Sequence, residues 1–500
     1  MRFFLILFTI LLCCCSSSTK NETQPENKTP DAEISKRVAD ENSGNSEEHK
    51  PVLDIEDPIK GGPADIKIKI EGLSQGTYKL IGFYAESHFL ADSATTNTNG
   101  ILRFKNSEGY AQGLYYLSVG DKKFMQIVLG EDQKFEMNAK LPNLVTSVEI
   151  VGSDENKAFY ETSKFESSFN SRYRRITEML EKETEGSINK NKLLEQKGVL
   201  EKERIDYLEK LAKNYPDLLF TKFKKAGQNP TVRLDLPDDI KVYYYRKEFW
   251  DNVDFSDSRL IRTPVIFNKL KRYIKELTGQ NQDSIFSSSK MLIDKTLNYP
   301  EYFKFFSNWV TIQYEPTKCT LMDPEAVFVN MARTYFTKER AFWADSMEVY
   351  AIQNRANEMG QSLLGAKGPN VISTDPEGYP KELYKLTADY LIVYMYNPTC
   401  EHCMEQTPKL VKWYNENKSK GADVFAIAID TNEEEWKAYI KKNNMTFTNV
   451  FDPTNRSIYA KYYVDITPEI YVLNKERKII AKNLKVNQID IMIDRDRGKG

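Results

Sequence analysis

The stretch YNPTCEHCMEQTP, residues 396–408, holds two cysteines in the spacing Cys-x-x-Cys, Cys400 and Cys403. Such a pair suits three chemistries: half of a metal site, a structural staple, or a redox couple. A closed zinc site takes four ligands, and beyond this pair and the N-terminal run Cys13–Cys15 only Cys319 and the scarce histidines His49, His88 and His402 remain. A disulfide across so short a loop constrains little of the unfolded chain. Redox chemistry asks for less. One thiol, Cys400, ionises and attacks a disulfide, and a second, Cys403, resolves the mixed disulfide. The residues between them pull in opposite directions: an imidazolium at His402 favours the thiolate, and a carboxylate at Glu401 opposes it. No metal and no cofactor is called for. The charge balance, 70 basic against 72 acidic residues for a net −2, offers no basic face to nucleic acid.

The elements that must hold this pair are legible around it. Residues 390–396, YLIVYMY, form a continuous apolar run, the pattern of a strand buried on both faces. A helix follows, with Leu410, Val411 and Trp413 on its apolar side. Its N-terminus carries partial positive charge and free N–H groups, which stabilise a thiolate at Cys400. Pro408 lies inside that helix, where a proline costs about 3 kcal/mol. A second buried strand is expected over 423–430, then a helix capped by Thr431 with acidic residues in its first turn. A short helix near 457–462 follows. EIYVLN and KIIAKNL then read as an antiparallel pair turning at 474–476, with Thr467 and Pro468 just ahead of the first of them.

This order resembles the thioredoxin fold, and from residue 370 onward the chain resembles the TlpA-like extracytoplasmic thiol–disulfide oxidoreductases. In that family a proline kinks the helix at the place of Pro408. A cis-proline loop, here Thr467-Pro468, lies beside the cysteines and shapes the substrate groove. The resemblance implies protein substrates that carry cysteines, and a membrane electron donor if the protein is a reductant. Two departures stand out. Thr399 occupies the place of the usual tryptophan before the first cysteine, and Tyr394 occupies the place of the buried acid. Proton handling for Cys403 must then come from elsewhere, with Glu401 and Asp430 as candidates, or be slow. The PxxxTxxC pattern of peroxiredoxins is missing around Cys400.

The rest of the chain, 500 residues in all, is long enough for three or so domains. Arg2 and the apolar run 3–12 suit a secretory signal. Leu12 three places before Cys15 resembles the lipobox of bacterial lipoproteins, with Cys14 as the rival lipidation site. Residues 1–15 are thus read as a lipoprotein signal peptide and 16–62 as a flexible, polar tether. Residues 63–153 alternate apolar and polar residues in about seven short strands and read as a small antiparallel β-sandwich. They resemble an N-terminal β-domain found before thioredoxin-like domains, by the Asp92-Ser93 pair, the Asn99-Gly100 turn, the GLYYL strand and the closing VGS. Residues 154–366 read as mostly α-helical and resemble a helical domain of unknown function. Leu200, Tyr207, Leu208 and Leu211 share one face there, aromatic stripes are expected in the core, and Cys319 is expected as a buried thiol. Residues 367–500 form the α/β thioredoxin-like domain. The whole is expected at the cell envelope, lipid-anchored on the periplasmic side of a bacterial membrane. The alternative function is a redox-inactive, lipid-anchored interaction protein that uses the thioredoxin fold as a scaffold.

Overall fold

The computed structural model describes residues 58–120, 122–233 and 235–498. The signal and lipidation residues, Cys14 and Cys15 included, lie outside the described residues. Among the described residues, no helix is long and apolar enough to cross a membrane.

The chain divides into two compact units, one comprising residues 160–209 among those described, the other residues 58–159 and 210–498. The first is made from residues 160–180 and 188–209 of the helices Asp154–Leu180 and Ile188–Asn214. Phe165 stacks on Tyr207 with centroids 4.0 Å apart. Arg172 forks onto Glu203 at 2.9 and 2.8 Å, and Leu193, Leu200 and Leu208 are buried.

The second unit begins with eight strands: β1 (Ala64–Glu71), β2 (Thr77–Tyr84), β3 (Ser87–Thr95), β4 (Ile101–Asn106), β5 (Gly113–Val119), β6 (Lys122–Leu129), β7 (Lys134–Lys140) and β8 (Glu149–Val151). They form two four-stranded sheets, β4-β1-β7-β8 and β3-β2-β5-β6. The strands were expected to be antiparallel throughout, but β1 and β7 pair in parallel. Alternation in β1 buries Ala64, Ile66, Ile68 and Ile70 and turns Asp65, Lys67 and Lys69 outward, the half-buried pattern of a sheet with one wet face. His88 sits exposed in β3 against the rings of Phe83 and Tyr116.

The helical region of this unit is built on aromatic packing. Trp250, Phe255, Tyr302 and Phe306 meet edge-on or tilted at 5.3–6.1 Å, a geometry aromatic quadrupoles prefer. Arg259 joins this region to the sandwich by donating to Gln112 at 2.9 Å while forking onto Asp257. Cys319 is half-buried rather than buried, because it follows a short 3-10 turn instead of lying within a helix.

The last part follows the expected α/β plan. After a small hairpin, β9 (Ile372–Thr374) with β10 (Pro380–Glu382), come β11 (Tyr390–Tyr396), β12 (Ala422–Ile429), β13 (Thr448–Asp452), β14 (Glu469–Leu473) and β15 (Ile479–Ala481). The sheet order is β13-β12-β11-β14-β15, with β11, β12 and β13 parallel and β14 and β15 antiparallel. All seven residues of β11 are buried. One face packs on the helices Glu401–Asn417, Glu433–Asn443 and Ile489–Asp496, and the other on the helix Arg456–Tyr462. Asn432, not Thr431, caps the helix Glu433–Asn443 by accepting from the Glu435 N–H at 2.9 Å. Thr431 instead gives its hydroxyl to the Glu435 carboxylate. Asn is the better cap, and its extended backbone already sits at the helix entry.

A buried ionic cluster joins the helical region to this sheet. Lys482, fully buried just past β15, sits 3.1 Å from Glu325 Oε2 and 3.6 Å from Asp323 Oδ1, and donates to the Ser362 carbonyl at 3.2 Å. Asp323 also caps the helix Pro324–Tyr335 and accepts from Leu364 N at 2.7 Å.

Candidate active site

The loop that delivers Cys400 is organised by Asn397. Its carboxamide oxygen accepts from both the N–H and the hydroxyl of Thr399 at 2.7 Å, and its carbonyl accepts from Cys400 N at 3.1 Å. Its amide nitrogen donates to the Asp430 carbonyl at 2.8 Å, tying the loop to the end of β12. The Asp430 side chain itself is exposed. The site helix, Glu401–Asn417, therefore starts against the end of a rigid buried strand.

Cys400 is the N-cap of this helix. Its sulfur accepts from the Cys403 N–H at 3.4 Å, which satisfies one of the free donors of a helix start. The same thiol reaches the Thr467 carbonyl at 3.2 Å. Burial alone would push the Cys400 thiol up. Hydrogen bonds from the Thr467 and Cys403 side chains and from the Cys403 and His402 amides outweigh it, so the thiol lies below its usual 9.0. Cys403, one turn into the helix, is fully buried. Burial pushes its thiol up to about 12, and the neighbouring Cys400 adds to the rise. Neither cysteine is in a disulfide.

Both residues of the intervening dipeptide, Glu401 and His402, are exposed. The leading influences on Cys400 include the His402 backbone amide but neither the imidazole nor the Glu401 carboxylate. Thr467 and Pro468 join through a cis peptide bond at the entry to β14, and both are half-buried beside Cys400. The structure brings together Cys400, Cys403, Thr467 and Pro468, and leaves Glu401 and His402 on the rim. Pro408 lies inside the helix, on its exposed side.

Three features here were not found from sequence. Ile466 and Met404, just before Thr467 and just after Cys403, expose 62% and 44% of their surface and leave an apolar flank beside the thiol. Thr407, four residues after Cys403 and fully buried, exchanges a hydrogen bond with Tyr394 Oη at 2.7 Å and accepts one from Tyr439 Oη at 2.9 Å. Glu469, directly after Pro468, is buried with Oε2 unpaired. Burial holds its carboxyl well above the usual range, against the pull of Lys482. Only the first two had a signal in the sequence: an apolar residue beside each half of the site, and a hydroxyl one helical turn from Cys403.

Residues 364–482 match the AhpC/TSA family, and residues 230–358 match a domain of unknown function, DUF5106. The chain is similar to the thiol-disulfide oxidoreductase ResA of Bacillus cereus (strain ZK / E33L), 26% identical over 119 residues, 24% of this chain and 68% of that protein. It is also similar to ResA of Bacillus subtilis (strain 168), 25% identical over 132 residues, 26% of this chain and 73% of that protein. Among solved structures, a domain of a possible thiol-disulfide isomerase from Cytophaga hutchinsonii ATCC 33406 is 35% identical, covering 27% of this chain and 94% of that one, with a TM-score of 0.26. The C-terminal part of this chain is an AhpC/TSA thioredoxin-like domain, homologous to thiol-disulfide oxidoreductases of the ResA type.

Proposed function

We propose that the chain is an extracytoplasmic thiol–disulfide oxidoreductase acting on protein disulfides or thiols through Cys400 and Cys403, held at the membrane by a lipid on Cys15 or Cys14. The observation that carries this reading is the asymmetry of the pair. Cys400 is reachable and stabilised as a thiolate at a helix start, whereas Cys403 is buried with its thiol pushed up to about 12. That division suits an attacking and a resolving thiol.

In the reducing direction, the Cys400 thiolate attacks one sulfur of a substrate disulfide. A Cys400–substrate disulfide forms and the other substrate sulfur leaves as a thiolate. Cys403 then attacks Cys400 Sγ, the internal disulfide forms, and the second substrate sulfur leaves. Two electrons have passed to the substrate, and a membrane donor of reducing equivalents must restore the dithiol. In the oxidising direction the steps reverse. Thr467 and Pro468 line the groove in which the substrate chain lies beside Cys400, while His402 favours the thiolate through its backbone amide and Glu401 stands exposed on the rim. A peroxidatic role for Cys400 is disfavoured because the PxxxTxxC pattern is missing around it.

The test is the reduction potential of the Cys400–Cys403 couple by glutathione titration, with Cys403→Ser as control. A reversible two-electron couple is expected in the wild type only. A value near −270 mV, roughly that of thioredoxin, assigns a reductase. A value of about −120 to −180 mV assigns an oxidase or isomerase. A wild type with no reversible couple leaves the redox-inactive scaffold.

A further inference from the structure

The loop that carries Thr467 and Pro468 runs over residues 463–468, from the helix Arg456–Tyr462 to β14. Its far end meets the thiol, where Cys400 donates to the Thr467 carbonyl at 3.2 Å. Both ends of the loop are anchored on the helical region. Tyr463 opens the loop in a left-handed conformation, φ 54°, which a residue with a Cβ disfavours and surrounding structure must hold. Its ring is buried in a cluster with Phe328, Val329, Ala332, Ala356 and Met359, all from the helical region. Its Oη accepts from Arg355 Nε at 2.7 Å, and Arg355 Nη1 donates to Glu315 at 2.7 Å. Arg355 belongs to the helix Ser346–Met359. At the other end β14 pairs with β15, and Lys482 follows β15 with Nζ 5.2 Å from the centre of the Tyr471 ring on β14. The same ammonium meets Glu325 and Asp323 of the helical region, and Asn483 donates to the Met322 carbonyl at 3.2 Å. Between these anchors only Asp465 and Ile466 are exposed.

We propose that the helical region, which matches DUF5106 over residues 230–358, is a working part of the active site. Through Arg355 on Tyr463, and through Asp323 and Glu325 on Lys482, it holds both ends of the loop and so sets Thr467 and Pro468 for a substrate chain to lie beside Cys400. The inference rests on the groove role given to Thr467 and Pro468 above, and extends it to a pair 108 positions apart in sequence. Arg355, Tyr463 and Lys482 are positioning residues that act through the loop and not on the thiol. The guanidinium suits the task because its donors form a rigid fork. One arm is fixed by Glu315 and another holds Tyr463. A loop held in place before the substrate arrives lowers the ordering cost of binding, so the effect falls on binding of the substrate chain and not on the sulfur chemistry.

The test follows the first attack in the full chain carrying Cys403→Ser, which stops the reaction at the mixed disulfide. The probes are 5,5′-dithiobis(2-nitrobenzoate), which has no peptide chain, and a short cysteine peptide carrying thionitrobenzoate on its sulfur. With either, a Cys400 mixed disulfide forms and thionitrobenzoate leaves. Release from the other cysteines is measured with the Cys400→Ser, Cys403→Ser double variant and subtracted. Tyr463→Phe, which keeps the ring, and Arg355→Met are expected to raise the half-saturating peptide concentration about three- to tenfold, the net worth of one hydrogen bond, with the limiting rate unchanged. The rate with the small probe should stay as in the Cys403→Ser parent. Arg259→Met, which loosens the helical region where it meets the sandwich, should leave both probes as in the parent. An unchanged half-saturating concentration in both Tyr463→Phe and Arg355→Met overturns the proposal. So does an equal loss with the two probes, which would place the effect on the thiol, or an equal rise in Arg259→Met, which would make it one of general stability. A parent whose Cys400 releases thionitrobenzoate from neither probe defeats the oxidoreductase reading itself.

Discussion

At neutral pH the two thiols of the pair, three residues apart, should differ in reactivity by well over tenfold. The Cys400 thiol lies below 9.0 and that of Cys403 at about 12. At pH 7 the thiolate fraction is then at least about one in a hundred for Cys400 and about one in a hundred thousand for Cys403, a ratio of at least about a thousand. The more basic thiolate is intrinsically the better nucleophile. A Brønsted slope of about 0.4–0.5 returns roughly twenty- to thirtyfold to Cys403. The net preference for Cys400 remains at least about thirtyfold, before the full burial of Cys403 adds its own barrier. The cause is local: destabilising the Cys403 anion from 9.0 to about 12 costs about 4 kcal/mol, whereas Cys400 has amide donors at the helix start. The assay is alkylation of the reduced chain with limiting iodoacetamide from pH 5.5 to 10, each cysteine being read separately by tandem mass spectrometry. Cys400 should label first, its rate levelling off below pH 9, while Cys403 is still rising at pH 10. Half-buried Cys319, whose thiol burial also pushes up, serves as an internal standard. Equal labelling of Cys400 and Cys403 at pH 7, or faster labelling of Cys403, refutes the assignment of attacking and resolving thiols.

Lys482→Met should destabilise the chain by about 3–5 kcal/mol, read as a lowered urea midpoint, because it strands Asp323 and Glu325 in a dry interior; an unchanged midpoint would mean the cluster is not buried in solution. Glu469→Gln should stabilise the chain at pH 7.5 and leave it unchanged at pH 4. The wild-type carboxyl is held above its ordinary 4.5, so its stability is whole below 4.5 and falls as pH rises from there. Parallel pH profiles for wild type and variant would contradict this. Ile466→Ser with Met404→Ser should raise KM for a protein disulfide by about tenfold, from the loss of roughly 1–1.5 kcal/mol of apolar contact. The rate at which iodoacetamide, a small probe, labels Cys400 should stay as in wild type, and an unchanged KM would rule out that flank as a contact surface.

Short-range patterns made the site legible in sequence. The run 390–396 lacks polar interruption because both faces of β11 are covered, and that same burial delivers Cys400 to the start of a helix. The helix side bearing Leu410 and Trp413 follows from a period of 3.6. What escaped were pairings between distant residues. Nothing in the sequence singled out Asp323, Glu325 and Lys482, since a linear chain does not show that residues about 160 positions apart close on one another. Thr431 and Asn432 stand side by side and both cap helices, and the fold uses Asn432, the better cap. Tyr394 was visible as a departure from the buried acid, but its meaning depended on Thr407 and Tyr439 meeting it.

Alternation along β14 explains why Glu469, though adjacent to Pro468, is unsuited to serve Cys403. Ile470 and Val472 lie in the core with Cys403, Tyr394 and Leu410, while Tyr471 and Leu473 lie in the core on the other face. A strand's side chains reverse face at every residue, so Glu469 shares the face of Tyr471, whose ionisation its charge opposes. The two faces of one sheet therefore carry different polar solutions. The face away from the thiols holds carboxylates around a buried lysine, which anchor the helical region. The thiol face holds neutral hydroxyls. A carboxylate beside Cys403 would repel the thiolate that resolution needs and would cost desolvation in both redox states. Hydroxyls cost little to bury when they bond to one another.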